Sequence, residues 1–448
     1  MYFWFPFSTQ SSQGEKSFTE MRIFIISVIL YIVGFNCFAQ DTTVQAKIKY
    51  YTEKSEKYLD KEKALSGFYS IDKSGIKMFA SAHAKTNNKN EFFISWDDFR
   101  QFNNLKQDSS FKIYKQGKFV SNKSVKNSSP GIISGEKKLS GYRIAIDAGH
   151  IAGDMEMGEI EKKEIKFKRD SLNGLNDSIS FSEGMLTFAT AKLLKEKLET
   201  EGAKVFMTRT FNGGSAFGVT FDSWLNSSYK HAIDSLSKIG EITLEKKKWY
   251  LSSKCTKRDK FRLIFKDIEL QKRGEIINNY NPDFTIIIHY NVDETNTGWT
   301  KPGTKDFNMT FVGGAFMKSD LSSIDKRFEF LRLLVSNDLE NSIALSSAVV
   351  QSFEKTLNIK TTNSSDATYL IKSCLPANEK GVYCRNLQLT RFVHGPLVYG
   401  ETLYQDNKNE CVLLNKETDK TKNQRVQQVA EAYYNGILNY VNNSSSKK

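Results

Sequence analysis

Proline is scarce in this chain, six among 448 residues, and glycine stops at 27, so a collagen-like repeat or a low-complexity polymer is excluded. No segment repeats. No apolar run reaches the ~20 residues that a bilayer span needs; residues 23–35 form the longest and fall short. Cysteine is rare, and Cys255, Cys374, Cys384 and Cys411 are too scattered for a structural zinc cluster. Nucleic-acid recognition motifs are missing and the basic residues are spread out, which argues against a nucleic-acid partner. With only five histidines in the chain, any that ends a buried strand is a candidate for chemistry.

What is present is an ordinary globular composition, 39% hydrophobic and 26% charged, with room for one large domain and a smaller one. The net charge of +13 would draw an exported protein to an anionic polymer such as those of a bacterial envelope. Export itself is read from Met21-Arg22, the apolar residues 23–35 and Cys37-Phe-Ala39, the three parts of a secretory signal peptide. Residues 1–20 precede it as an upstream extension, and no membrane span is expected after cleavage. In an oxidising compartment, periplasmic or extracellular, Cys374 and Cys384 are a candidate pair, although four cysteines allow three full pairings.

Along the mature chain, a charged helical stretch at 44–63 and short β-like runs suggest a small α+β accessory domain over 41–120, whose aromatics, Phe93 and Trp96 among them, read as core residues rather than glycan contacts. Residues 121–140 read as a linker and 442–448 as a disordered tail. Between them, 141–441 alternate strand and helix patterns, the signature of a twisted, mostly parallel α/β sheet flanked by helices. Insertions interrupt it at about 154–180 and 211–256; the first is expected to border the cleft, and the second is either a gate or a peripheral subdomain.

Two buried strands end in histidine: Tyr142-Arg-Ile-Ala-Ile-Asp-Ala-Gly-His150 and Phe284-Thr-Ile-Ile-Ile-His289. Open α/β sheets bind ligands at the carboxyl ends of their strands. Glu183 opens an amphipathic helix that ends near Gly202, and Leu397-Val-Tyr-Gly-Glu401 is a further strand closing on a carboxylate. Two histidines and one glutamate from separate elements are the usual protein ligands of a catalytic zinc, and a second carboxylate then serves as base. The rival acidic ligand is Glu164, in the first insertion. Asp147 and Asn291 flank the histidines and are candidates to orient them; Arg385 is a candidate contact for a substrate carboxylate, and His394 a candidate neighbour of the pocket.

In five ordered blocks the chain resembles the zinc-dependent N-acetylmuramoyl-L-alanine amidases of the amidase 3 type. The blocks are Ile144-Ala-Ile-Asp-Ala-Gly-His150; Glu183 through Gly202 to Val205-Phe-Met-Thr-Arg209; Arg273, Asn278, Asp283 and Ile288-His289-Tyr-Asn291; Gly381-Val-Tyr-Cys-Arg-Asn-Leu387; and Pro396-Leu-Val-Tyr-Gly-Glu401 with Asn407. Ala148 stands where the family usually has proline and Ile287 where it commonly has serine, but no ligand or base position is substituted. The resemblance implies one Zn²⁺ on His150, Glu183 and His289, Glu401 as general base, and cleavage of the bond between N-acetylmuramic acid and L-alanine in peptidoglycan, in wall remodelling or daughter-cell separation. It also implies room for a regulatory activator protein. A related zinc peptidase acting on stem peptides, or a catalytically silent peptidoglycan-binding protein, are the alternatives.

Overall fold

A computed structural model describes residues 43–97, 110–115, 118–123, 137–170, 174–296 and 301–445. The expected signal peptide and most of the expected linker lie outside the described residues. Among the described residues no helix is long and apolar enough to cross a membrane.

The amino-terminal part is a helix over 43–54 that runs on into a π-helical turn, Ser55–Leu59, followed by a five-stranded antiparallel meander: β1 Tyr69–Asp72, β2 Gly75–Phe79, β3 Asn90–Ser95, β4 Ser110–Lys115 and β5 Lys118–Lys123. Strand β5 thus extends into the stretch expected to be linker. Nor does this part stand apart. Ile76, Met78, Phe92 and Ile94 belong to the same buried apolar cluster as Phe330 and Leu333 of the main domain. Trp96 is buried, with its indole N–H donating to the Asp72 carbonyl at 2.9 Å. Across the contact Lys54 Nζ donates to the Ser336 carbonyl (2.7 Å) and to Glu340 (3.0 Å), while Arg327 forms a two-pronged pair with Glu91.

The main domain is built on a seven-stranded sheet. Its strands are β6 Arg143–Ala148, β9 Lys204–Met207, β10 Phe284–Asn291, β11 Met309–Val312, β12 Cys374–Pro376, β13 Val382–Arg385 and β14 Leu397–Tyr404, in the order β12-β13-β11-β14-β10-β6-β9. The run β9-β6-β10-β14 is parallel, whereas β11 is antiparallel to β14. All eight residues of β10 are buried, as expected of a strand covered on both faces. Helices Glu183–Thr200, Asp338–Leu357 and Gln424–Ser445 cover one face; Lys266–Tyr280 and Gln388–Phe392 cover the other. The last helix continues through Ser445, so the chain stays ordered past the expected start of the tail.

The first insertion forms a short helix, Met155–Glu161, and a hairpin of β7 Glu164–Phe167 with β8 Ile179–Ser182. The second forms helices Phe221–Ser227, Tyr229–Lys238 and Leu244–Tyr250 around a separate aromatic core containing Trp224, Tyr229, Tyr250 and Phe265. Both cysteines of the expected bridge are free and buried, as are Cys255 and Cys411. The register explains why: Cys374 faces Arg385 and Leu375 faces Cys384 across the β12/β13 pair, so the two thiols project from opposite faces of the sheet.

If the amino-terminal sheet and the main domain share one core, Glu91→Ala leaves the Arg327 guanidinium, 5% exposed, without its carboxylate. We expect it to lower stability by about 3 kcal/mol, in a single urea transition seen alike by fluorescence and circular dichroism; two separate transitions would contradict the shared core. A second expectation concerns Asp306, whose carboxyl accepts the Tyr404 N–H at 3.0 Å and whose pKa is pushed up to about 7 by burial, with Glu410 adding to the rise. Because the unfolded value is ~3.9, its contribution is full below that pH and is lost as pH rises through about 7. Asp306→Asn should therefore gain melting temperature relative to the parent between pH 4 and pH 8, and a constant difference would refute this.

Candidate active site

The parallel register gathers the polar residues at one edge. Ala148 pairs with Ile288, and His289 pairs with Glu401, so the carboxyl ends of β6, β10 and β14 present His150, His289 and Glu401 side by side. Beyond β6 the Gly149 N–H donates to the Ile288 carbonyl (2.9 Å), and His150 takes a left-handed backbone, φ 58°, which side chains other than glycine rarely adopt. Position 149 has to be glycine, since a Cβ there would lie 2.3 Å from the His289 ring. That ring stacks on Tyr399, centroids 4.5 Å apart, and meets His150 edge to face at 4.9 Å.

Glu183 completes the group. It sits in the first helical turn, where the backbone dipole favours an anion, and it is fully buried. Its Oε1 lies 3.0 Å from His289 Nδ1 and accepts the Tyr290 N–H at 3.2 Å; its Oε2 lies 3.3 Å from His150 Nε2, Lys163 Nζ and Gln405 Nε2 alike. Burial opposes ionisation, but the His150 imidazole, the Lys163 ammonium and His289 outweigh it and hold the carboxyl well below its usual pKa. Burial also pushes the His150 pKa down, against the pull of Glu183, which favours the neutral, metal-binding imidazole. Donor atoms of His150, Glu183 and His289 all lie within 4.8 Å of one another, the one such group among the described residues. This carboxylate with two neutral imidazoles matches the donor set of a catalytic zinc that keeps an open position.

The group opens into a cleft of ≈ 570 Å³. It is lined by Ile160 to Lys163, Phe261, Phe265, Tyr369, Arg385 and Tyr399, together with Glu401 and Asn291. Burial pushes the Glu401 pKa up to about 7, with Glu183 adding to the rise and His289, Lys163 and Arg385 opposing it.

Other expected residues fall differently. Asp147 does not touch either imidazole: it is fully buried, accepts the Thr208 hydroxyl at 2.5 Å and pairs with Arg273 at 3.2 Å. Arg273 in turn holds Glu269 at 2.8 Å and the Ala148 carbonyl at 3.0 Å. Buried Arg209 binds the carbonyls of Ala148, Gly149 and Gly184, tying the end of β6 to the Glu183 helix. Asn291 lines the cleft but donates to the Tyr369 hydroxyl (3.2 Å) rather than to His289. Arg385 lies over the rings of Phe311 and Tyr369 with its side chain on the cleft wall. His394 is outside the cleft, at the opposite, amino-terminal end of β14, where Nε2 meets Glu329 at 3.1 Å and its N–H donates to Asn278. Glu164 pairs with Ser182 in the hairpin and is not in the donor group.

The first insertion contributes two residues that pattern reading passed over. Glu161 accepts the N–H groups of Ile151 and Ala152 and lies 3.7 Å from His150 Nδ1, and Lys163 reaches Glu183. Only their positions in a charged run, 161–164, hinted at this. From the second insertion, residues 213–255 supply no side chain to the cleft wall, which is built instead by the segment after it, Arg258 to Arg273. The gate reading therefore has no support in the geometry.

The model of a family described as N-acetylmuramoyl-L-alanine amidase, amidase 3, matches residues 144–439. Among solved structures, the chain is similar to the CwlD amidase of Clostridioides difficile, solved in complex with the GerS lipoprotein, at 18% identity and TM-score 0.36, covering 67% of this chain and 98% of that one. It is similar to the amidase Ami1 of Mycobacterium abscessus at 15% identity and TM-score 0.36, covering 67% and 99%. With the amidase AmiC2 of Nostoc punctiforme the identity is 15% and the TM-score 0.33, covering 69% and 99%. No curated protein matches the chain.

Arg273→Met would strand the Asp147 carboxylate at zero exposure, and we expect it to cost about 3–5 kcal/mol in urea unfolding. A loss below ~1 kcal/mol would mean that the pair contributes little beyond an exposed ion pair.

Proposed function

The chain belongs to the amidase 3 family of N-acetylmuramoyl-L-alanine amidases, and from that premise we propose that it cleaves the muramoyl–alanine amide of peptidoglycan with one zinc ion held by His150, Glu183 and His289. The observation that carries the zinc assignment is the convergence of their donor atoms within 4.8 Å, with His150 and His289 lining the cleft. When bound, the ion supplies Lewis acidity, which activates water near neutral pH and polarises a carbonyl.

The chain's own residues divide the remaining work. Glu401 lines the cleft beside His289, and a carboxyl whose pKa is pushed up to about 7 by burial can take a proton from water and return it to the departing amine at neutral pH. Tyr399, stacked on His289, and Gly149, pressed against its other side, fix the plane of that imidazole. Glu161 stands 3.7 Å from His150 Nδ1 and would orient that ring in the way carboxylates commonly orient metal-binding histidines. Arg385 would meet a carboxylate of the stem peptide, a reading supported by its position in the cleft lining and over the rings of Phe311 and Tyr369. The substrate lies outside the cytoplasmic membrane, which agrees with a leader at residues 21–39 and an enzyme exported to the periplasm or beyond.

Incubating residues 40–448 with purified peptidoglycan should release stem peptides with free L-alanine amino termini, and a chelator should abolish the release. Mass spectrometry of the soluble products decides: cuts inside the peptide would indicate a peptidase, and an absence of products would indicate a binding protein. Glu401→Gln should retain zinc and lose hydrolysis by ~10²–10⁴-fold, whereas His289→Ala should lose zinc on metal analysis. Hydrolysis that survives Glu401→Gln would remove Glu401 as the base.

A further inference from the structure

Lys163 has a placement that the proposed chemistry does not use. Its backbone is pinned, because its carbonyl accepts the Glu183 N–H at 2.9 Å, at the very start of the Glu183 helix. From there the side chain reaches Nζ to 3.3 Å from Glu183 Oε2, the same oxygen that faces His150 Nε2 at 3.3 Å. An ammonium therefore stands against the donor group at the place where its negative charge is concentrated. The residue after it is locked too: Glu164 pairs with Ser182 in the β7/β8 hairpin, so the reach is set by a rigid support.

We infer that Lys163 is an internal counter-cation of the metal site, neutralising Glu183 while the site is empty and yielding that position when a divalent cation enters. The inference rests on the reading of His150, Glu183 and His289 as metal ligands. The charge balance requires an exchange of this kind. Without a cation, a carboxylate buried beside two neutral imidazoles is strongly disfavoured, and Lys163 is the charged partner in contact with it. With a doubly charged ion on the same carboxylate, an ammonium in that position would be repelled.

An exit exists. The Lys163 side chain is 31% exposed, it lines the cleft, and two other carboxylates, Glu161 and Glu401, line the same space. Four flexible methylenes let the ammonium turn towards them while the backbone stays fixed. The pinned carbonyl and the mobile head thus separate two tasks, holding the helix start and balancing charge. Because Lys163 lies in the first insertion, metal affinity is linked to a segment outside the strands that carry the histidines.

Zinc titration of the metal-stripped mature protein against a chromophoric chelator tests this, in the wild type, Lys163→Met and Lys163→Arg. Lys163→Met should bind zinc about tenfold more tightly, a coupling of ordinary size, and its metal-free form should melt lower while its zinc-loaded form melts like the loaded wild type. Lys163→Arg, which keeps the charge, should stay close to the wild type on both readouts. A merely structural lysine would lower both melting temperatures and leave zinc affinity unchanged or weaker, and that result overturns the inference. Equal affinity of wild type and Lys163→Met overturns it alone. If no form takes up zinc, the wild type included, the metal reading fails and this inference falls with it.

Discussion

A carboxylate without water around it is the constraint that organises this molecule. Glu183 is fully buried, and an ionised group in that position is tolerated only when surrounding donors replace its hydration. Three groups donate to it, an ammonium, a side-chain amide and a backbone N–H, and two imidazoles face it. They come from the end of β6, the first insertion, β10 and the turn after β14, so the requirement of one side chain ties together segments far apart in sequence. The helix start beneath the carboxylate adds its own dipole.

A second layer keeps those segments in register. Asp147, Arg273 and Glu269 form a buried alternation of charge under the end of β6, and Arg209 clamps three carbonyls where β6 and the Glu183 helix meet. Glu269 and Arg273 also line the cleft, whereas Asp147 and Arg209 act through what they hold. Their cost is that removing Arg273 leaves two buried carboxylates, Asp147 and Glu269, without their cation. The aspartate beside the first histidine serves the scaffold rather than the imidazole: it lies opposite Ile287, two residues before His289 on the same face of the sheet, and is held there by Thr208 and by Arg273 of the Lys266–Tyr280 helix.

What was legible in the sequence follows from period and position. The apolar runs ending in His150 and His289, the helix opened by Glu183 and the strand closing on Glu401 are strong local signals, and parallel pairing then brings their ends together without further information. Glu161 and Lys163 were not legible, because a charged run with little periodicity gives no hint of which carboxylate or ammonium turns inward; that is decided by the β7/β8 hairpin. His394 misled for the converse reason. Seven residues before Glu401 is close in sequence, but along a strand it is the full length of the sheet, and the imidazole ends beside Glu329. Cys374 and Cys384 misled similarly, since nearness in sequence says nothing about which face of a sheet a thiol takes.

The amino-terminal region makes the same point at larger scale. A shift in composition near residue 121 reads as a domain boundary, yet Leu59, Ile76 and Phe92 pack into the cluster that contains Leu333 and Val349. Independence of a domain depends on where its apolar face is buried, a tertiary property that composition does not encode. The consequence reaches the site by a short path: Lys54 binds the Ser336 carbonyl and Glu340, Glu340 lies on the Asp338–Leu357 helix, and that helix packs on β14, which carries Glu401. The amino-terminal sheet is therefore part of the support of that edge, and removing it would expose the apolar rings of Phe328 and Phe330 that it covers.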